Sequence, residues 1–156
     1  MPEERFMRLA IEKAREGIKK GQTPFGACII KGNKVISCAH NTVWKDTDIT
    51  AHAEINAIRE ACRKLNTVDL SGCIIYSTCE PCPMCFAACH WARMEKVIYG
   101  AAIRDAKGFG FNEMRIGNRL MKFLGKSKTG IMKGFMKKEC LGLFKTWDKG
   151  KDRKVY

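Results

Sequence analysis

Apolar residues along the first twenty positions fall at Phe6, Leu9, Ala10, Ala14 and Ile18, with charges between them, which is one face of a helix over residues 2–20 closed by Gly21. Gln22-Thr-Pro24 breaks it. Residues 25–31 and 34–39 are rich in strand formers and are separated by Gly32-Asn33, so they predict an antiparallel hairpin. Residues 40–50 form a polar loop. From 51 to 65, Ile55, Ile58, Cys62 and Leu65 recur at spacings of three and four, the signature of a helix with one buried face.

Residues 72–78 then form a short apolar strand, 81–94 a third helix and 96–101 another apolar strand, and this strand, helix, strand unit implies a parallel crossover. The order predicts an α/β protein: a three-layer α/β/α sandwich around a mixed sheet of about five strands. Beyond Asp105 the pattern loosens. Gly108-Phe-Gly-Phe111 is expected as loop, 114–124 as helix, 129–136 as a last strand and 138–147 as an amphipathic terminal helix. No repeat, low-complexity tract or linker interrupts the chain, so all 156 residues are read as one domain.

Composition narrows the function classes. The longest uninterrupted apolar run covers only residues 25–30, too short for a bilayer, and the start Pro2-Glu-Glu-Arg5 is unlike a signal peptide, so a cytoplasmic protein without membrane association is expected. Nine cysteines, an odd number with several inside apolar runs, fit a reducing compartment better than a disulfide scaffold. The formal charge of +13 would suggest a nucleic-acid partner if it were spread evenly. It is concentrated instead: residues 107–156 hold 14 Lys and Arg against 4 Asp and Glu, net +10. Such a run is most often a solvated face.

The chemistry is carried by Thr50-Ala-His-Ala-Glu54 and Cys79-Glu-Pro-Cys-Pro-Met-Cys85. Cys82 and Cys85 are three apart, one turn on one helix face, which suits two thiolates on one metal. Pro81 is expected in the first turn of that helix, whose exposed N–H groups and dipole favour thiolate over thiol. His52 supplies a third ligand, which leaves one tetrahedral position for water, the mark of a catalytic zinc, one per chain, and not a closed structural site. Glu54 lies roughly 200° round a helix from His52. Both side chains reach the same water only if the helix meets the site end-on at its first turn. Zinc would lower the water pKa, and Glu54 would take its proton and return it to a leaving nitrogen, giving hydrolytic deamination at an amidine-like ring carbon.

Rival readings exist. Cys79, Cys82, Cys85 and Cys89 also spell the C-x2-C-x2-C-x3-C run of bacterial ferredoxins, which would make the chain an iron–sulfur electron-transfer module. Against it, His90 rather than proline follows Cys89, and His52 and Glu54 would have no role. Cys79 and Cys89 are therefore read as packing residues. His40 and His90 lack partners in sequence and are read as structural, Glu80 as a carboxylate near a helix N-terminus, and Trp44, Trp91 and Trp147 as core or interface.

Pro24-Phe-Gly-Ala27 together with the two motifs resembles the cytidine-deaminase-like superfamily, whose H-x-E and P-C-x-x-C pattern marks zinc nucleobase deaminases, and most closely its bacterial guanine deaminase branch. The likeness spans about Phe6 to Glu113. It implies that Asn41 hydrogen-bonds a purine, that the backbone of Ala53 contacts the attacking water or substrate, and that Phe25 and Trp91 wall the pocket. It also implies a second catalytic carboxylate where the chain reads Gly110-Phe-Asn-Glu113, which gives that role to Glu113 and places Asn112 as a departure from an aspartate pair. The ending Lys154-Val-Tyr156 resembles a C-terminus that crosses to a partner subunit and closes its site, so Tyr156 is expected at the substrate of a swapped homodimer. The implied reaction is guanine to xanthine and ammonia. Adenosine in tRNA is the alternative that Ala101, Asp105 and the basic tail favour, and cytosine or guanosine are further candidates.

Overall fold

The computed structural model describes residues 1–151 and 153–156. Helix α1 (Glu4–Lys19) buries Phe6, Met7, Ala10, Ile11, Ala14 and Gly17 along one face. It lies on the hairpin formed by β1 (Gly26–Lys31) and β2 (Lys34–His40), which pair antiparallel with Cys28 opposite Cys38. Gly32 sits in the left-handed region at φ +55, as the tight turn between the strands requires. Gly26 is needed for a different reason: a Cβ there would run into the Ala10 carbonyl and the Ala14 amide of α1.

The rest of the chain adds α2 (Val43–Asp46), α3 (Ala53–Leu65), β3 (Cys73–Cys79), α4 (Pro83–Trp91) and β4 (Lys96–Ala101). They are followed by α5 (Ile103–Gly108), α6 (Asn118–Leu124), β5 (Gly130–Lys133) and α7 (Lys137–Asp148). The sheet has five strands in the order β2-β1-β3-β4-β5, antiparallel across β2, β1 and β3 and parallel across β3, β4 and β5. Two buried clusters cover its faces. One joins α1 and α7 through Phe6, Met7, Ala10, Leu143, Phe144 and Trp147. The other joins α3 and α4 through Ala57, Ala61, Phe86 and Cys89. This is the expected three-layer α/β/α arrangement with its mixed sheet.

Differences from the sequence reading cluster where backbone turns. The polar loop at 40–50 contains the short helix α2, capped by Thr47 in the left-handed region at φ 50. Helix α3 starts at Ala53 and not at 51, with His52 as an extended N-cap at ψ 156. Likewise α4 starts at Pro83, so Pro83 and not Pro81 occupies the first turn, and Cys82 is the extended N-cap at ψ 168. Helix α5 was not anticipated. It forms because the Asp105 carboxylate accepts the Ala102 N–H at 2.8 Å and satisfies an otherwise free donor. Among the described residues no helix is long and apolar enough to cross a membrane, and all nine cysteines are free thiols.

Candidate active site

Three turns converge at one end of the central strands β1 and β3. Strand β3 ends at Cys79, β1 begins just after Phe25, and the N-termini of α3 and α4 arrive beside them. The two N-cap positions matter most. An extended residue before a helix points its side chain along the helix axis, not out from its flank, so His52 and Cys82 face each other across the gap. His52 Nδ1 lies 3.6 Å from Cys82 Sγ and 3.6 Å from Cys85 Sγ. A tetrahedral centre with zinc–nitrogen and zinc–sulfur distances of about 2.0–2.1 and 2.3 Å has nitrogen–sulfur edges of about 3.6 Å. The three donor atoms therefore have the chemistry and the spacing of a zinc site, and no other group of three or more possible ligands is drawn together among the described residues.

Electrostatics agree with that assignment. Hydrogen bonds from the Cys85 thiol and from His52 hold the Cys82 thiol down to about 4, against the opposing effect of burial, so Cys82 is a thiolate at neutral pH. Burial lowers His52, but the Cys82 hydrogen bond and the nearby Glu54 carboxylate outweigh it and the net shift is upward. Glu54 is buried at 6% exposure, and burial pushes its carboxyl up. It is held between the Ser77 hydroxyl, which donates to Oε1 at 3.2 Å, and Cys85 Sγ, 3.6 Å from Oε2. A buried carboxylate next to a metal-ligating set, with only one firm hydrogen bond, is poised to accept and release a proton.

A family model decides what this constellation belongs to: the cytidine and deoxycytidylate deaminase zinc-binding region matches residues 1–101. The chain belongs to this deaminase family. Like its relatives, the deaminase is a zinc hydrolase of carbon–nitrogen bonds. It is similar to the guanine deaminase of Bacillus subtilis, 45% identical over 114 residues that cover 72% of this chain and 73% of that protein. It is also similar to the tRNA-specific adenosine deaminase of Aquifex aeolicus, 50% identical over 101 residues, 65% of this chain and 67% of that one. Its fold superposes on the guanine deaminase of Nitrosomonas europaea with a TM-score of 0.88 at 26% identity, over 96% of this chain and 86% of that one.

Most of the residues singled out in the sequence meet here. Phe25, His52, Glu54, Cys82, Glu113 and Tyr156 line one cavity, and Cys79 and Glu80 complete its wall. Ala53 is buried at the first position of α3, and fully buried Asn41 donates from Nδ2 to the Tyr156 hydroxyl at 2.6 Å. Burial, with the Cys82 and Glu54 charges, raises Glu113 to about 7. Trp91 is not brought to this cavity: it ends α4 with 83% of its surface exposed, at the opposite end of the helix from Cys82. Cys79 and Cys89 stand outside the ligand group, Cys89 in the α3 and α4 core. His40 and His90 have local partners in Asn41 O and Ser127 Oγ.

The structure also adds residues that pattern reading had passed over. Ser77 holds Glu54, and its only sequence signal is the polar pair Ser77-Thr78 at the end of an apolar strand. Glu80 does not serve its own helix: its oxygens accept the Asn118 and Ile103 amides at 2.9 and 3.2 Å, tying α6 and α5 to the end of β3. Phe111 and Trp44 flank Tyr156, with ring centroids at 5.5 and 6.2 Å. The Tyr156 carbonyl accepts the Asn112 amide at 3.0 Å and Arg153 reaches the Phe109 carbonyl at 2.7 Å, so the chain end is fixed over its own zinc site. With Tyr156 in place the cavity has a volume of about 10 Å³, room for about one water.

Proposed function

We propose that this deaminase hydrolyses guanine, with water, to xanthine and ammonia. The observation that carries the reading is the Asn41–Tyr156 hydrogen bond over the His52, Cys82 and Cys85 triad. A pocket that a C-terminal tyrosine can cover suits a free base that enters, is enclosed and leaves. A base still attached to a polynucleotide would have to thread past the cover. Likeness to two guanine deaminases supports the same substrate.

Each residue then has a role in a water-poor site. His52, Cys82 and Cys85 would hold zinc, which would supply Lewis-acid activation of a water. Glu54 takes the proton of that water on Oε2 and delivers it to the departing amino nitrogen. Glu113, whose carboxyl is pushed up by burial, is the second carboxylate, exchanging a proton with the ring as the amine leaves. Asn41, held in place through the Val43 amide on its Oδ1, offers its side-chain N–H to the purine. Phe25 packs the ring face, and the Ala53 amide contributes from the start of α3. Two copies complete the assembly as a homodimer, supported by the large apolar residues left exposed at Trp91, Leu120, Phe123 and Leu124, while each chain end stays over its own site and does not exchange as the resemblance implied.

Ammonia release from guanine, guanosine, adenine, cytosine and cytidine by the zinc-loaded enzyme tests the reading; guanine should lead the panel, and no release from it would end the proposal. The second reading, deamination of adenosine in tRNA, is favoured by the basic cavity that shares Glu80 with the zinc pocket and by the Aquifex relative. Inosine formation in a tRNA with no release from guanine would establish it.

A further inference from the structure

A cavity of about 880 Å³ lies beside the zinc pocket and not in it. Arg104, Lys107, Arg115, Arg119, Lys133 and Lys137 line it. They come from α5, the segment before α6, α6 itself, β5 and α7, so the fold and not one basic stretch assembles them. Among the described residues only Lys137 of the six is in an ion pair, with Asp105 at 3.2 Å. Glu80 is the single acid in the lining, and both its oxygens already accept backbone amides.

Like charges gathered around a concavity repel one another and raise the local positive potential, which an anion relieves. The floor is of another kind: the buried ring of Tyr99 and the side chain of Ile103 give an apolar surface next to the cations. Three guanidinium groups can hold phosphate oxygens in pairs, and the volume falls within the range of small-molecule sites. We propose that this cavity binds an organic phosphate of mononucleotide size, with its phosphates among Arg104, Arg119 and Lys133 and its ring on the apolar floor. A nucleotide fits better than a nucleic-acid strand because the neighbouring zinc pocket is closed by Tyr156 and offers no path for a threaded chain. Because Glu80 lines both cavities, the occupant sits one side chain away from the catalytic machinery. The choice of a nucleotide over a strand rests on the free-base reading of the zinc pocket.

Calorimetric titration of the zinc-loaded Glu54→Gln protein with ATP, inorganic tripolyphosphate and an eight-nucleotide single-stranded RNA tests it without turnover. Saturable ATP binding is expected, with affinity that falls as salt rises and that drops at least about tenfold in the Arg119→Gln, Lys133→Gln double variant. Equal binding of tripolyphosphate would still support the phosphate site while assigning no part to the ring. If the double variant does not fold, Lys107→Gln on the exposed side of α5 provides the same comparison with a smaller expected loss. No saturable ATP binding, affinity unchanged in the variants, or binding of RNA but not of ATP would overturn the proposal.

Discussion

The Asn41 side-chain nitrogen meets the Tyr156 hydroxyl at 2.6 Å, joining positions 115 residues apart directly over the zinc ligands. Asn41 cannot turn away easily, since its Oδ1 also accepts the Val43 amide at 3.0 Å. Tyr156→Phe keeps the ring against His52 and Phe111 but leaves a buried amide donor without its partner. One such bond in a closed site is worth about 1–3 kcal/mol, so kcat/KM for guanine should fall roughly 5- to 150-fold with zinc content unchanged. An unchanged kcat/KM would show that the chain end plays no part in turnover.

Glu54 offers the sharpest separation of metal binding from proton transfer. Glu54→Gln preserves size and the Ser77 hydrogen bond but cannot accept the proton. Turnover should drop by about 10²- to 10⁴-fold, while zinc analysis still finds one ion per chain. Loss of the metal instead would place Glu54 among the ligands.

Removing a ligand should do the reverse. Cys82→Ala leaves one thiol and one imidazole, too few to retain zinc against a chelator, so metal and activity should be lost together. The core clusters on both sheet faces do not pass through this residue, and far-ultraviolet circular dichroism should stay close to that of the parent. A variant that keeps stoichiometric zinc would mean that the site has another ligand.

The layers of the fold were legible because α1, α3 and the strands carry regular periodicity and bury it. The zinc ligands were legible because two spaced motifs supply soft and borderline donors. The end-on approach of α3 followed from the His52 and Glu54 spacing, but the same approach by α4 did not. Treating Cys82 and Cys85 as one helix face would have placed both on a flank, whereas Cys82 is an N-cap with extended backbone, and only the folded turn shows that. Trp91 was expected at the pocket from resemblance alone, and nine residues of helix carry it away. Ser77 acts on the Glu54 carboxylate and Glu80 on the Ile103 and Asn118 amides, partners far away in sequence that no local pattern records.

Gly26 tests how tightly the layer that carries the site is packed. Adding a methyl group would push against the Ala10 carbonyl and the Ala14 amide, both parts of a rigid helix backbone that cannot yield as a side chain could. Gly26→Ala should cost at least about 1–3 kcal/mol, seen as a lowered urea midpoint. Because β1 follows Phe25 directly, activity should fall as well. A midpoint equal to that of the parent would show that α1 has room to slide.

Glu113 links the site to stability through pH. In the folded chain, burial and the Cys82 and Glu54 charges raise it from 4.5 to about 7, so between those values the folded state binds more protons than the unfolded state. Stability must therefore fall as pH rises across that window: the contribution is fully present below about 4.5 and is lost on passing through 7. Because the side chain is partly exposed, solvent screening limits the effect to the order of 1–2 kcal/mol. Glu113→Gln stays neutral throughout, so it should match the parent near pH 4.5, exceed it by that amount at pH 8 and flatten the slope between. Urea midpoints at fixed metal load provide the measurement, since a bound dication lowers the carboxyl pKa and moves the window to lower pH. A slope identical in the two proteins would mean that Glu113 titrates as an ordinary exposed carboxylate and is not the second carboxylate of the site.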